Sequence, residues 1–220
     1  MFEIVISSRN RDKKRELKAL LKGLKVNPVR DNHRLKSAAF SNGVKVLDLN
    51  DFPSAPRVEE KADTFEENAA EKALKIARFT KKFTLADDSG LVVEALGGRP
   101  GARSARFTGE KANDEKNNRK LLKLLQGVAL SDRKAKFVCV IALADKDGVV
   151  GVVRGECAGR IALAPRGKNG FGYDPVFIGR GHSKTFAELG ARTKNLISHR
   201  AKALKKARAL IQRLLLKACL

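Results

Sequence analysis

Acidic residues are in short supply in this chain: 24 Asp and Glu stand against 46 Lys and Arg, for a formal net charge of +22. Such an imbalance favours anionic company, whether nucleic acid, an anionic membrane or a phosphorylated substrate. Cysteine is scarce as well. Cys139, Cys157 and Cys219 are odd in number, widely spaced and without a Cys-x-x-Cys pair, which argues against a disulfide framework or a thiolate zinc site. No apolar run approaches the roughly 20 residues that a helix needs to cross a bilayer. The start, Met1-Phe2-Glu3-Ile4-Val5-Ile6, carries an acid where a secretion signal has a basic flank. The expected setting is therefore soluble and cytoplasmic, without membrane association. Aromatic residues make up only 5%, and the basic positions are not interleaved with rings, so single-strand nucleic-acid binding is not expected as the main role. The pattern Gly-x-x-x-x-Gly-Lys-Ser/Thr is absent, which excludes a P-loop. No Cys-His or Ser-His-Asp spacing points to covalent catalysis.

What is present suits a single domain over residues 1–220, with room for two lobes. The chain has 220 residues, 43% of them hydrophobic, enough to bury a core despite the charge. Residues 3–7 read as a first strand, followed by a helix with Leu17, Leu20, Leu21 and Leu24 on one stripe. Residues 44–49 read as a second strand. Thr64-Phe65-Glu66-Glu67 has the form of a capping box, in which Glu67 reaches back to the cap backbone, opening a helix through Asn68, Ala69, Ala73, Ile76 and Ala77. Residues 84–86 and 91–95 read as strand segments. Asn113 or Asp114 caps a third helix carrying Leu121, Leu122, Leu124 and Leu125. Residues 135–144 form a long apolar strand that turns through Asp147-Gly148 into 149–155. The terminal segment is acid-free from residue 189 to 220, with Leu204, Ala207, Leu210, Ile211, Leu214 and Leu215 at helical spacing. Its cations fit either a solvated helix face or a surface for RNA or membrane. Residues 28–43 lack either periodicity and read as a surface insertion. The fold class expected is α/β: a mixed sheet flanked by helices.

Several stretches can carry chemistry. Ala86-Asp87-Asp88-Ser89-Gly90 sets adjacent carboxylates after an apolar run, a donor set suited to a hard divalent cation; it also has the composition of an acidic turn. Ser8, Arg9, Asn10, Arg11, Asp12 and Lys13 span a strand-to-helix junction, where amides and a lysine can hold phosphate or simply cap the helix. Gly97-Gly98-Arg99-Pro100-Gly101 leads to Arg103 and Arg106, which can address phosphates or be solvated. In Gly170-Phe171-Gly172-Tyr173-Asp174-Pro175 a ring flanked by glycines can lie against a base, or Phe171 can pack in the core. Ser198-His199-Arg200 offers a histidine to a carbonyl or phosphate, or an ordinary helix cap.

Taken together and in order, these motifs resemble the inosine triphosphate pyrophosphatase family, the XTP/dITP diphosphatases. The resemblance runs through Ser8-x-Asn10-x-x-Lys13, Thr64-Phe65-x-Glu67-Asn68-Ala69, the acidic pentapeptide, Ser104-Ala105-Arg106, Gly170-Phe171-Gly172-Tyr173-Asp174-Pro175, Lys184-Thr185-x-Ala187-Glu188-Leu189 and Lys194-x-x-Ile197-Ser198-His199-Arg200. It implies an elongated mixed α/β fold of two lobes with a central nucleotide cleft, usually as a homodimer. The implied reaction converts ITP, dITP or XTP and water into the monophosphate and pyrophosphate, with Mg2+ and without any need for nucleic acid. Asp88 corresponds to the general base and a metal ligand, and Glu59 to the second metal carboxylate, with Glu60 beside it leaving the register open. Ser8 through Lys13 and Ser89 correspond to substrate contacts. Phe171, Gly172, Tyr173, Asp174, Lys194, His199 and Arg200 correspond to the base pocket. Asp12 departs from the family pattern, which often has glycine there.

Overall fold

The computed structural model describes residues 2–21 and 44–217, leaving aside the side chains of 12, 19, 20, 191, 192 and 215–217. The expected insertion at 28–43 lies outside the described residues. The described elements, in chain order, are β1 (Phe2–Ser7), α1 (Arg11–Leu21), β2 (Val44–Asp48), α2 (Phe65–Thr80), β3 (Phe83–Val93), α3 (Asp114–Leu124), β4 (Lys134–Ala144), β5 (Val149–Ile161), β6 (Phe177–Gly179), α4 (Ala191–Ile197) and α5 (His199–Lys217). The strands form one mixed sheet in the order β2-β1-β3-β4-β5-β6. β1 runs parallel to β2 and β3, and the remaining pairs are antiparallel.

Alternation along the strands assigns each face a helix layer. Ile4, Ile6, Leu85, Cys139 and Ile141 pack against Leu17 and Leu21 of α1 and Leu204, Ala207 and Ile211 of α5. Ala86, Val138, Val140 and Ala142 face the small residues Ala69, Ala73 and Ala77 of α2. A separate core fills the far end of the sheet, where Leu91, Phe137, Phe177 and Phe186 meet Leu121 and Leu125 beside α3.

The acidic pair is not a turn. Residues 83–93 form one continuous strand, with Asp87 opposite Ile141 and Asp88 opposite Val140. Continuous antiparallel pairing with β4 overrides the turn preference of Asp, Ser and Gly; β1 pairs with this strand only as far as Ala86. Because successive side chains alternate, Asp87 points to the α1/α5 face and Asp88 to the α2 face. Gly90 is required by close approach: a Cβ there would lie 2.4 Å from Ser104 Oγ and 2.5 Å from the Gly101 carbonyl oxygen. Leu91 N–H donates to Ser104 Oγ, and that hydroxyl donates to Gly101 O. The glycine-rich segment thus seals against β3.

α2 starts at Thr64 as expected, but its box closes differently. Thr64 Oγ1 accepts from Glu67 N–H and donates to Glu67 Oε2 at 2.7 Å, so the two side chains bond to each other. Asn113 caps α3. α5 lies on β5 so closely that a Cβ at Gly155 would fall 2.3 Å from both Ala203 N and His199 O.

Candidate active site

The ends of these elements enclose one cavity. Its floor is Asp88, Ser89 and Gly90 of β3. Asn10 and Lys13 come from the start of α1, Glu60 from the loop before α2, and Asp114 and Asn117 from α3. The far wall is Phe137, the loop from Phe171 to Asp174, Lys194 of α4, and His199 and Arg200 of α5. Helix caps deliver several of these groups. Asn10 Oδ1 accepts from Lys13 N–H at 3.0 Å, and Ser198 Oγ accepts from Ala201 N–H at 3.2 Å. Cap and site readings therefore coincide: the cap sets the first turn, and the first turn faces the cavity.

One wall is acidic. Asp88 is 2% exposed, with Oδ2 accepting from Asn68 Nδ2 at 3.0 Å and Oδ1 from Ser89 N–H at 2.8 Å. Burial, then the neighbouring Glu60 charge, pushes its pKa up to about 6 against the pull of Lys13 and Lys72. Burial works the same way on Glu60, but Lys72, ion-paired to it, holds its pKa below the usual carboxylate range. Lys72 also donates to the Asp87 carbonyl.

The opposite wall is basic and each cation is matched. Lys13 Nζ lies 3.2 Å from Asp87 Oδ2, and Arg200 Nε 3.8 Å from the same oxygen. Ser89 Oγ donates to that oxygen at 2.9 Å. Although burial opposes it, this cationic setting of Lys13, Arg200 and Lys72 keeps Asp87 ionised well below the usual range. Arg200 also pairs with Glu16, and Lys194 with Asp174 at 2.6 Å. Lys194 Nζ stands 4.6 Å from the centre of the Phe171 ring. Burial, followed by Arg200, Lys194 and Lys13, drives the His199 pKa well below 6.5, so the imidazole is neutral. Its ring stacks on Phe137, 4.6 Å between centres.

The family model of the Ham1 family matches residues 4–210. A dITP/XTP pyrophosphatase of Geobacillus kaustophilus is 48% identical over 206 residues, covering 94% of this chain and 92% of the relative. One of Desulforamulus reducens is 44% identical, with 97% of each covered. Among solved structures, a HAM1 protein of Coxiella burnetii superposes with a TM-score of 0.82 at 39% identity, covering 97% of this chain and all (100%) of that one. The chain belongs to the Ham1 family. The resemblance carried by the motifs and the α/β fold are both borne out.

Within this family fold, the structure brings to the cavity Asn10, Lys13, Asp88, Ser89, Phe171, Gly172, Tyr173, Asp174, Lys194, His199 and Arg200. It does not bring Glu59 there. That carboxylate is 62% exposed and pairs with Lys61, while Glu60 turns inward to Lys72. Ser8 is buried in the turn after β1, Arg9 donates to Ala55 O, and Arg11 is exposed; none of the three lines the cavity. The Asp12 side chain lies outside those described. Arg103 and Arg106 face Asp63 and the Glu60 carbonyl, anchoring the loop that carries Glu60. Tyr173 is a core anchor whose hydroxyl donates to Ser104 O at 2.8 Å.

Sequence reasoning passed over Asn68, Lys72, Asp114, Asn117 and Asn118 as site residues. A signal existed for Asn68, a polar residue on the apolar stripe of α2. Lys72 follows one turn later on the same helix.

Proposed function

We propose that this protein is a magnesium-dependent nucleoside triphosphate pyrophosphatase acting on deaminated purine nucleotides: dITP, XTP and ITP. The observation that carries the reading is the pairing, in one cavity, of a carboxylate wall (Asp88, Glu60) with a cationic wall (Lys13, Lys194, Arg200). The names of the relatives point the same way.

The residues suit the cation. The Glu60 charge raises the cost of ionising Asp88, an arrangement that a hard divalent ion relieves. Mg2+ characteristically takes one or two carboxylates and completes its shell with water and substrate phosphate. Asp88 and Glu60 would hold it, and when bound it supplies neutralisation of phosphate charge. Lys13, at the N-terminus of α1, binds the triphosphate. Asp88, in its ionised form, accepts the proton of the attacking water. Water is added, the anhydride linking the α and β phosphates is broken, and monophosphate and pyrophosphate separate. At the other end of the cavity, Lys194, Arg200 and the neutral His199 present donors to a 6-carbonyl. Adenine would set its amino group against them, a costly buried mismatch.

The test is pyrophosphate release from dITP, XTP, ITP, dATP and dGTP, with and without Mg2+. The deaminated nucleotides should be favoured over dATP by on the order of 100-fold in kcat/KM, only with metal. Equal or negligible turnover of all five would overturn the reading. Asp88→Asn should cut turnover on the order of 1,000-fold.

A further inference from the structure

Gly172 sits inside the loop that places Phe171 and Asp174 at the cavity, with φ of 64° in the left-handed region. Both of its backbone polar groups are held by α3. Its N–H donates to Asp114 Oδ2 at 2.6 Å, and its carbonyl accepts from Asn118 Nδ2 at 2.9 Å. Asp114 and Asn118 are four residues apart, so they stand one above the other on a single helix face. They present an acceptor and a donor at the separation of one residue's N–H and C=O.

Neither residue is the cap of the helix. Asn113 already caps α3, accepting from Lys116 N–H at 2.8 Å. Asn118 is 6% exposed, and its Oδ1 has no hydrogen-bond partner among the described residues. A buried amide with half its capacity unused costs stability that a leucine would not. Its return is the grip on Gly172.

We propose that Asp114 and Asn118 are positioning residues for base discrimination: by clamping Gly172 they fix the Phe171 ring and the Asp174 carboxylate against the purine. This rests on the function proposed above. Inside the loop, Phe171 N–H donates to Asp174 Oδ2 at 2.9 Å, so ring and carboxylate move as a unit about the glycine. Lys194 holds the Asp174 carboxylate at 2.6 Å from the other side; without the clamp the glycine end of the loop is left for the substrate to order, and binding bears that cost. Asp88 and Lys13 stand on β3 and α1 and are untouched, so the chemical step on bound substrate is preserved.

Steady-state kinetics of Asp114→Ala, Asp114→Asn and Asn118→Ala with dITP and dGTP, alongside product dIMP binding by calorimetry, test the clamp. The control is Glu115→Gln, which removes a first-turn charge that pairs only with the exposed Arg119 among the described residues. Asp114→Ala should raise KM for dITP about tenfold with kcat within about twofold, weaken dIMP binding in parallel and erode the preference for dITP over dGTP. Asp114→Asn, which keeps the acceptor, should restore most of the loss, and Glu115→Gln should match wild type. Should Asp114→Ala fail to fold, Asn118→Ala must show the same KM-weighted loss. Unchanged KM and preference, or a loss confined to kcat, overturns the clamp, as does failure of Asp114→Asn to rescue a folded Asp114→Ala. Inactivity of the wild-type protein on both nucleotides overturns the function proposed above and this inference with it.

Discussion

His199 is 4% exposed, flat against Phe137, with three cations nearby. Its depressed pKa has a definite sign in the stability of the ligand-free protein. Below pH 6.5 the unfolded chain binds a proton that the folded chain refuses, so stability falls as pH drops, by up to about 1.4 kcal/mol per pH unit. Asp88 acts oppositely: with a folded pKa of about 6 against 3.8, it takes up its proton first in the folded state and stabilises as pH falls through that window. Comparing the wild type with His199→Gln in urea denaturation from about pH 7.5 to pH 5 isolates the histidine. The variant should lose less stability on acidification; parallel profiles would refute a buried neutral imidazole. At this scale the sequence was readable where a residue's position followed from a helix start, as with Lys13, which the first turn of α1 brings to the cavity. It was silent between Glu59 and Glu60, identical neighbours in an aperiodic loop. Lys72, on the following helix, decides between them, and no local pattern records that choice.

Among the elements, α2 was legible because cap and apolar spacing agree, and all but the short β6 of the strands had at least a fragment marked by apolar runs. β3 was read as two pieces, since its central residues favour turns when judged alone; pairing with β4 from residue 84 to 93 holds it extended. The β5–α5 contact was equally hidden. Gly155 in a strand gives no hint that a helix backbone lies against it. Gly155→Ala would place a methyl group 2.3 Å from Ala203 N and His199 O, forcing α5 away. The expected cost is about 1–3 kcal/mol, measured by urea denaturation. Because His199 and Arg200 open α5, kcat/KM should fall as well. Retention of both stability and activity would show that α5 is not fixed by this approach.

Taken whole, the molecule carries far more positive charge than its site employs. In the cavity Lys13, Lys194 and Arg200 each face a carboxylate, so the surplus of +22 resides elsewhere and repels itself. Screening should relieve that repulsion. The melting temperature should rise between about 20 mM and about 300 mM NaCl, the reverse of what loss of surface ion pairs alone would give. A flat or falling trend would mean that local pairing outweighs the net field. Asp87 and Asp88 stand back to back on a ribbon of period 2, one committed to Lys13 and Arg200, the other to Asn68 and the acidic wall. Deleting or inserting a single residue earlier in β3 would exchange their surroundings, aiming the carboxylate that now faces the cavity into the α1/α5 packing and its neighbour into the cleft. Surface loops away from the cavity tolerate changes of length, but the length of this strand up to its acidic pair is locked by parity.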